Sequence, residues 1–170
     1  HSSLKKFSLK FCHKFDKTID FSKLSELEVI RINMLDNWSQ DLNCSQFNPK
    51  LSTLVIKHCT NFNHYVDVKA CTLLKVINFD CCVSWQGGLS LPTVSPLKQL
   101  ILNECRSFIG TKPLIFADYP QIEEIKLINC RSFNSPMIFK NNNNLRRLIM
   151  TNCFIFNHLI EWQELPIDIE

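Results

Sequence analysis

Apolar residues recur along this chain at fixed intervals. Aligned on Leu4, Leu27, Leu51, Leu74, Leu97, Ile122 and Leu145, seven segments read LKKFSLKFC, LEVIRINML, LSTLVIKHC, LKVINFDCC, LKQLILNEC, IEEIKLINC and LRRLIMTNC. With the first residue of each as position 1, positions 1, 4 and 6 are apolar in all seven. Position 12 is aromatic every time: Phe15, Trp38, Phe62, Trp85, Phe108, Phe133 and Phe156. Apolar positions 4 and 6 around a free position 5 predict a short, half-buried strand. The step from 6 to 9 to 12 breaks period two, so the chain turns inward there. A looser apolar pattern follows at positions 16, 18 and 21, as in Ile19, Phe21 and Leu24, in Val66, Val68 and Cys71, and in Leu89, Leu91 and Val94. The fifth segment carries two extra residues near Gly110–Pro113 before Leu114, Phe116 and Tyr119. The 16/18 alternation predicts extended or 3-10 returns, with a helical turn in one or two units.

A unit of about 23 residues cannot bury its own apolar side, but stacked on its neighbours it forms one continuous core. Each strand then pairs in parallel with the same strand of the next unit, about 4.8 Å away. Residues 1–170 therefore read as a single repeat domain of seven units.

The cysteines mark the same beat. Cys12, Cys59, Cys82, Cys105, Cys130 and Cys153 all fall at position 9, and Leu35 occupies it in the second unit. The pattern L-x-x-L-x-L-x-x-C resembles the leucine-rich repeat family in its cysteine-containing variety, over nearly the whole chain. The resemblance implies an α/β-type repeat solenoid: a right-handed superhelix with a parallel β-sheet on the concave face and extended, 3-10 or short helical returns on the convex face. It also implies that the six position-9 cysteines bond backbone groups where the chain leaves the strand. Leu35 departs from that pattern and points to a locally irregular second rung. The short return should also flatten the curve.

Composition adds limits. Of 170 residues, 45% are apolar and 21% charged, which excludes a largely disordered chain. A formal net charge of +3 is too small to argue for nucleic acid by itself. Three glycines leave little room for phosphate-binding loops. The chain starts inside the pattern without Met, signal sequence or capping unit, and reads as a piece of a longer protein. His1–Ser3 read as a tag remnant. Trp162, Leu165 and Ile167 are expected to close the last rung, with Glu161, Glu164, Asp168 and Glu170 solvating it. Asn141–Asn144 reads as a polar turn between units. The sequons at Asn37 and Asn43 carry core residues in the middle and do not argue for secretion.

Metal binding and catalysis find little support. His58-Cys59, Cys12-His13 and Cys81-Cys82 are the only tight groups, and none is a paired C-x₂-C ligand set. Neighbouring rungs bring cysteines close, but a ladder of parallel side chains lacks the disulfide dihedral. Buried free thiols then point to a reducing, intracellular compartment, cytoplasmic or nuclear. No nucleophile elbow, P-loop or zincin motif occurs, no cofactor is implied, and the chain does not read as an enzyme. Cys81, at the outward position 8, is the one candidate nucleophile, and an ordinary thiol is the simpler reading. Glu123 and Glu124 should diverge from adjacent positions.

What remains is the concave face, built from positions 3, 5, 7 and 8. Its candidate partner-binding residues are Lys6, Lys10, Phe11, Arg31, Met34, Val55, Lys57, His58, Asp80, Ile101, Glu104, Lys126 and Ile149. Basic residues gather at the N-terminal end and acidic ones in the middle. Val55, Ile101 and Ile149 form an apolar line at position 5. Mixed charge around exposed apolar residues predicts a protein-binding face. The leading expectation is a non-catalytic protein-interaction module, with the family resemblance adding a substrate-receptor or scaffold role. One alternative is nucleic-acid association through Lys5, Lys6, Lys10, Arg31 and Lys57. Another is the recognition domain of an enzyme whose catalytic part lies elsewhere. No membrane partner or small-molecule substrate is implied.

Overall fold

The computed structural model describes residues 3–17, 19–38, 40–44, 48–110, 113–117 and 119–163. The chain is a parallel β-solenoid of about six turns. Its main sheet has seven strands: β1 (Lys6–Lys10), β2 (Val29–Asn33), β4 (Thr53–Lys57), β6 (Val76–Asp80), β8 (Gln99–Asn103), β10 (Glu124–Ile128) and β12 (Arg147–Thr151). Each covers positions 3 to 7 of its unit and pairs in parallel, in unshifted register, with the next. A one-residue slip would send every position-4 and position-6 side chain out of the core, and that penalty holds the register.

The returns are extended. β3 (Leu42–Asn43), β5 (Val66–Asp67) and β7 (Leu89–Ser90) form one three-stranded sheet, and β9 (Leu114–Ile115), β11 (Met137–Lys140) and β13 (Ile160–Gln163) form another. No helix occurs among the described residues, which corrects the α/β reading and the expected 3-10 or helical turns. About ten residues separate position 12 from the next unit. They leave room for a two-residue strand and a turn, not for a helix of useful length.

Position 8 is the corner of every unit. Phe11, Met34, His58, Cys81, Glu104, Asn129 and Asn152 all adopt left-handed backbone, with φ between 52° and 57°. None is glycine, and for a side chain with a Cβ this conformation costs about 1–2 kcal/mol. A bond to the next strand accompanies it. In the first six units the position-8 N–H donates to the position-7 carbonyl of the following unit, at 2.7–3.0 Å. The reversal then points position 9 inward. The thiols of Cys82, Cys105, Cys130 and Cys153 lie 3.7, 3.6, 3.3 and 3.3 Å from the position-6 carbonyl of the preceding unit. At six corners the position-12 N–H closes a turn onto the position-9 carbonyl, as in Trp85 to Cys82 at 3.1 Å. Leu35 is fully buried and keeps the left-handed corner at Met34. The irregularity expected at its rung therefore does not disturb the strand.

The turns deliver one ring per unit to the core. Trp85 stacks on Phe108 with centroids 4.4 Å apart, Phe108 on Phe133 at 6.0 Å, and Phe133 on Phe156 at 5.8 Å. Phe79, from β6, meets Trp85 edge-on at 4.6 Å. Such pairs add about 0.5–1.5 kcal/mol each beyond area burial. The Trp85 indole N–H donates to the His64 carbonyl at 2.9 Å. Gly87 lies against that carbonyl so closely that a Cβ would come within 2.1 Å of it.

Buried asparagines staple the second turn. Asn142 donates to the Phe116 and Tyr119 carbonyls at 2.8 and 3.0 Å and accepts from the Lys140 N–H at 2.9 Å. The tract expected as a polar turn thus holds a fully buried side chain. Val94, expected inward, is 64% exposed, while its neighbour Ser95 is buried. Pro92 and Pro96 bracket a turn that puts Ser95, not Val94, on the inner side. Of the residues expected to close the last rung, Leu165, Ile167, Glu164, Asp168, Glu170 and the Trp162 side chain lie outside the described residues. Glu161 is exposed.

Two outcomes test this core. His58→Val, β-branched at a left-handed corner, should lower stability by about 1–2 kcal/mol relative to His58→Asn, read as urea midpoints. Trp85→Ala should cost about 3–5 kcal/mol. Phe156→Ala, on the half-buried last rung, should cost about half of that in the same titration.

Candidate functional site

The main sheet turns one side to the core and presents the other. Strand alternation sends positions 3, 5 and 7 to the outer face, and the left-handed corner adds position 8 along one border. Lys6, Lys10, Phe11 and Arg31 are exposed. Met34, Val55, Lys57, His58, Asp80, Ile101, Glu104, Lys126 and Ile149 are half-buried. All thirteen lie on this one continuous surface.

Its two halves differ in how their charges are used. Lys57 pairs with Asp80 across one rung at 3.5 Å, and Asp80 accepts from the Asn103 amide at 2.8 Å. Glu104 accepts from Arg106 at 2.8 Å and from Asn129, which in turn accepts from Asn152 at 2.6 Å. Glu124, only 9% exposed, holds Lys126 at 2.8 Å and Arg147 at 3.5 Å and accepts from Gln99 at 3.3 Å. The bond from Lys126 draws the Glu124 carboxyl below the usual range, against the opposing effect of burial. Glu123 points the other way and pairs with Lys98 at 2.7 Å, so the two carboxylates diverge. At the N-terminal end, Lys6, Lys10 and Arg31 have no acidic partner among the described residues. Phe11, beside them, is 64% exposed.

The apolar line expected at position 5 is broken. Register places Asn78 between Val55 and Ile101, and Lys126 between Ile101 and Ile149. Val29 and Val76 at position 3 were not among the candidates, yet they flank Thr53 across two rungs. Val29 is itself buried, so the half-buried Val55 and Val76 are the apolar side chains that this part of the face presents.

The thiols are not poised for chemistry. All nine cysteines are free. Burial pushes Cys59, Cys71 and Cys130 up to about 12, and Cys44 and Cys153 are raised by the same cause. Cys105 is raised first by its hydrogen bond with Cys82 and then by burial. Cys81, the candidate nucleophile, is pushed to about 11 by desolvation and by the neighbouring Asp80 carboxylate. A reactive cysteine needs the opposite environment. Among the described residues no three His, Cys, Asp or Glu side chains converge on a metal-sized site. No family model, curated protein or solved structure matches the chain.

The thiol shifts make a pH prediction. A thiol whose folded-state pKa is raised contributes stability that is fully present below its unfolded value, about 8.5, and is lost as pH rises through the folded one. The melting temperature should hold to about pH 8 and fall with increasing slope between about pH 9 and 12. Cys71→Val should make that fall shallower in a calorimetric pH series.

Proposed function

We propose that this protein is a non-catalytic interaction module of leucine-rich repeat type, which binds a protein partner on the outer face of its seven-stranded sheet. The repeat-type reading is supported by the coincidence of the L-x-x-L-x-L-x-x-C register with strand, left-handed corner and inward thiol in successive units. The binding reading is carried by one observation: the face is electrostatically saturated from β4 to β12 and unsaturated at β1 and β2. Lys6, Lys10 and Arg31 surround exposed Phe11 and half-buried Met34 without acidic partners. A partner segment with acidic and apolar side chains fits that end, the charges steering its approach and the apolar groups holding it.

A role as substrate receptor or scaffold in a larger assembly belongs to the same proposal. Nine free cysteines, most of them deeply buried, support a reducing compartment.

The face is tested with variants that respect its backbone. Phe11→Asn and Met34→Asn keep a side chain suited to the left-handed corner, and Lys10→Glu and Arg31→Glu reverse the charge. Partners captured by the parent protein from cell extract and identified by mass spectrometry should be lost from these four variants, with melting temperatures unchanged. Capture that survives all four would sink the proposal. Binding of a mixed-sequence oligonucleotide that collapses between about 50 and 200 mM salt would favour nucleic acid in its place.

A further inference from the structure

On the side opposite the binding face, the return strands do not form one ladder. They split into two sheets, and the break falls between β7 and β9, where the fifth unit carries its two extra residues. At the break lies an open groove of about 290 Å³, lined mainly by β7, β9 and the segments beside them. Past its end the buried Tyr119 donates its hydroxyl to the Pro92 carbonyl, the one side-chain bond that joins the two walls among the described residues.

The polar groups on its two walls are those of a missing strand. In β7 the Gly88 and Ser90 carbonyls accept from Val66 and Val68 of β5, at 2.9 and 3.0 Å. Alternation therefore turns the N–H groups of Leu89 and Leu91 and the carbonyl of Leu89 into the groove. In β9 the Leu114 and Phe116 N–H groups donate to β11, at 2.8 and 2.7 Å, which turns the N–H of Ile115 and the carbonyls of Pro113 and Ile115 towards β7. No hydrogen bond joins β7 to β9 among the described residues, although β6 and β8 of the same two units pair in full register. The side chains record the same vacancy. On the β7 wall, Leu89 and Leu91 are half-exposed where their counterparts one rung earlier, Val66 and Val68, are fully buried; on the other wall Leu114 and Phe116 stay buried.

We propose that this groove takes an extended segment of a partner protein as an added strand between β7 and β9. The segment would continue the two existing ladders, exchanging main-chain hydrogen bonds with both walls and setting an apolar side chain on Leu89, Leu91 and Leu114. This site is separate from the outer sheet face and does not depend on it.

The test follows main-chain amides of the intact chain by NMR. Probes are acetylated, amidated peptides copying His64–Ala70, Gly87–Thr93 and Ser135–Asn141, each a return strand of this array. Saturable shifts and slowed exchange are expected at Leu89, Leu91 and Ile115 with at least one of them. Ile115→Pro removes an N–H that has no partner among the described residues, and Ile115→Ala keeps it. The first should weaken binding about tenfold, as for a lost hydrogen bond that leaves its partner unpaired, and the second less than about threefold. Both should melt like the parent. Equal losses from the two variants would mean side-chain docking and overturn the added strand. So would the absence of saturable shifts with all three peptides up to about 1 mM. Shifts at these amides that grow with protein concentration alone would assign the groove to a second copy of the chain and also overturn the proposal.

Discussion

Each unit leaves its strand through one left-handed residue, and the rest of the fold depends on that corner. The reversal at position 8 ends the two-residue alternation, directs position 9 inward and brings position 12 over the core. Because the corner N–H bonds to the following strand, each unit helps to hold its neighbour's geometry. The conformational cost of a left-handed side chain is thus carried by the ladder as a whole. A unit cut from the array would have no carbonyl to receive that bond and no ring on which to stack, which is why stability here is a property of neighbours.

The same repetition separates structure from recognition. Positions 1, 4, 6, 9 and 12 are committed to the core, so variation is confined to the outer face, the corners and the returns. On the outer face, neighbouring rungs have used that freedom to pair charges: Lys57 with Asp80, Glu124 with Lys126 and Arg147. These contacts are partly exposed and contribute modestly to stability. Their larger consequence is contrast, since among the described residues of the outer face they leave the cations of β1 and β2 without an acidic partner. On the return side, the ladder is interrupted between β7 and β9, before the strand of the unit with two extra residues, while the main sheet continues through the same two units. An insertion is tolerated there because the return ladder is only two to four residues long, whereas the five-residue strands pair over their full length.

Much of this was legible in residue order. The strands, their parallel order and the inward thiols follow from seven aligned segments, because a period of two and a fixed repeat leave few ways to bury Phe7, Ile30, Leu54 and their equivalents. The extended returns were legible in part: the 16/18 alternation pointed to strands, but it did not exclude a helical turn. The corner conformation was not visible, because position 8 holds Phe, Met, His, Cys, Glu and Asn with no common chemistry. Glycine or asparagine in every unit would have marked it. Val94 was misplaced because a fixed count assumes equal turn geometry, and the prolines on either side of that turn change it.

By itself, then, the sequence determined the repeat, its register and the division between core and surface, since all three are set by side-chain periodicity along one chain. The tertiary structure decided which outer-face charges neutralise one another, that Asn78 and Lys126 interrupt the apolar line, and that the return ladder is broken between β7 and β9. Each of these depends on which residues become neighbours across rungs. That is settled by the lateral hydrogen bonds between strands some 23 residues apart, at a range where local pattern carries no information.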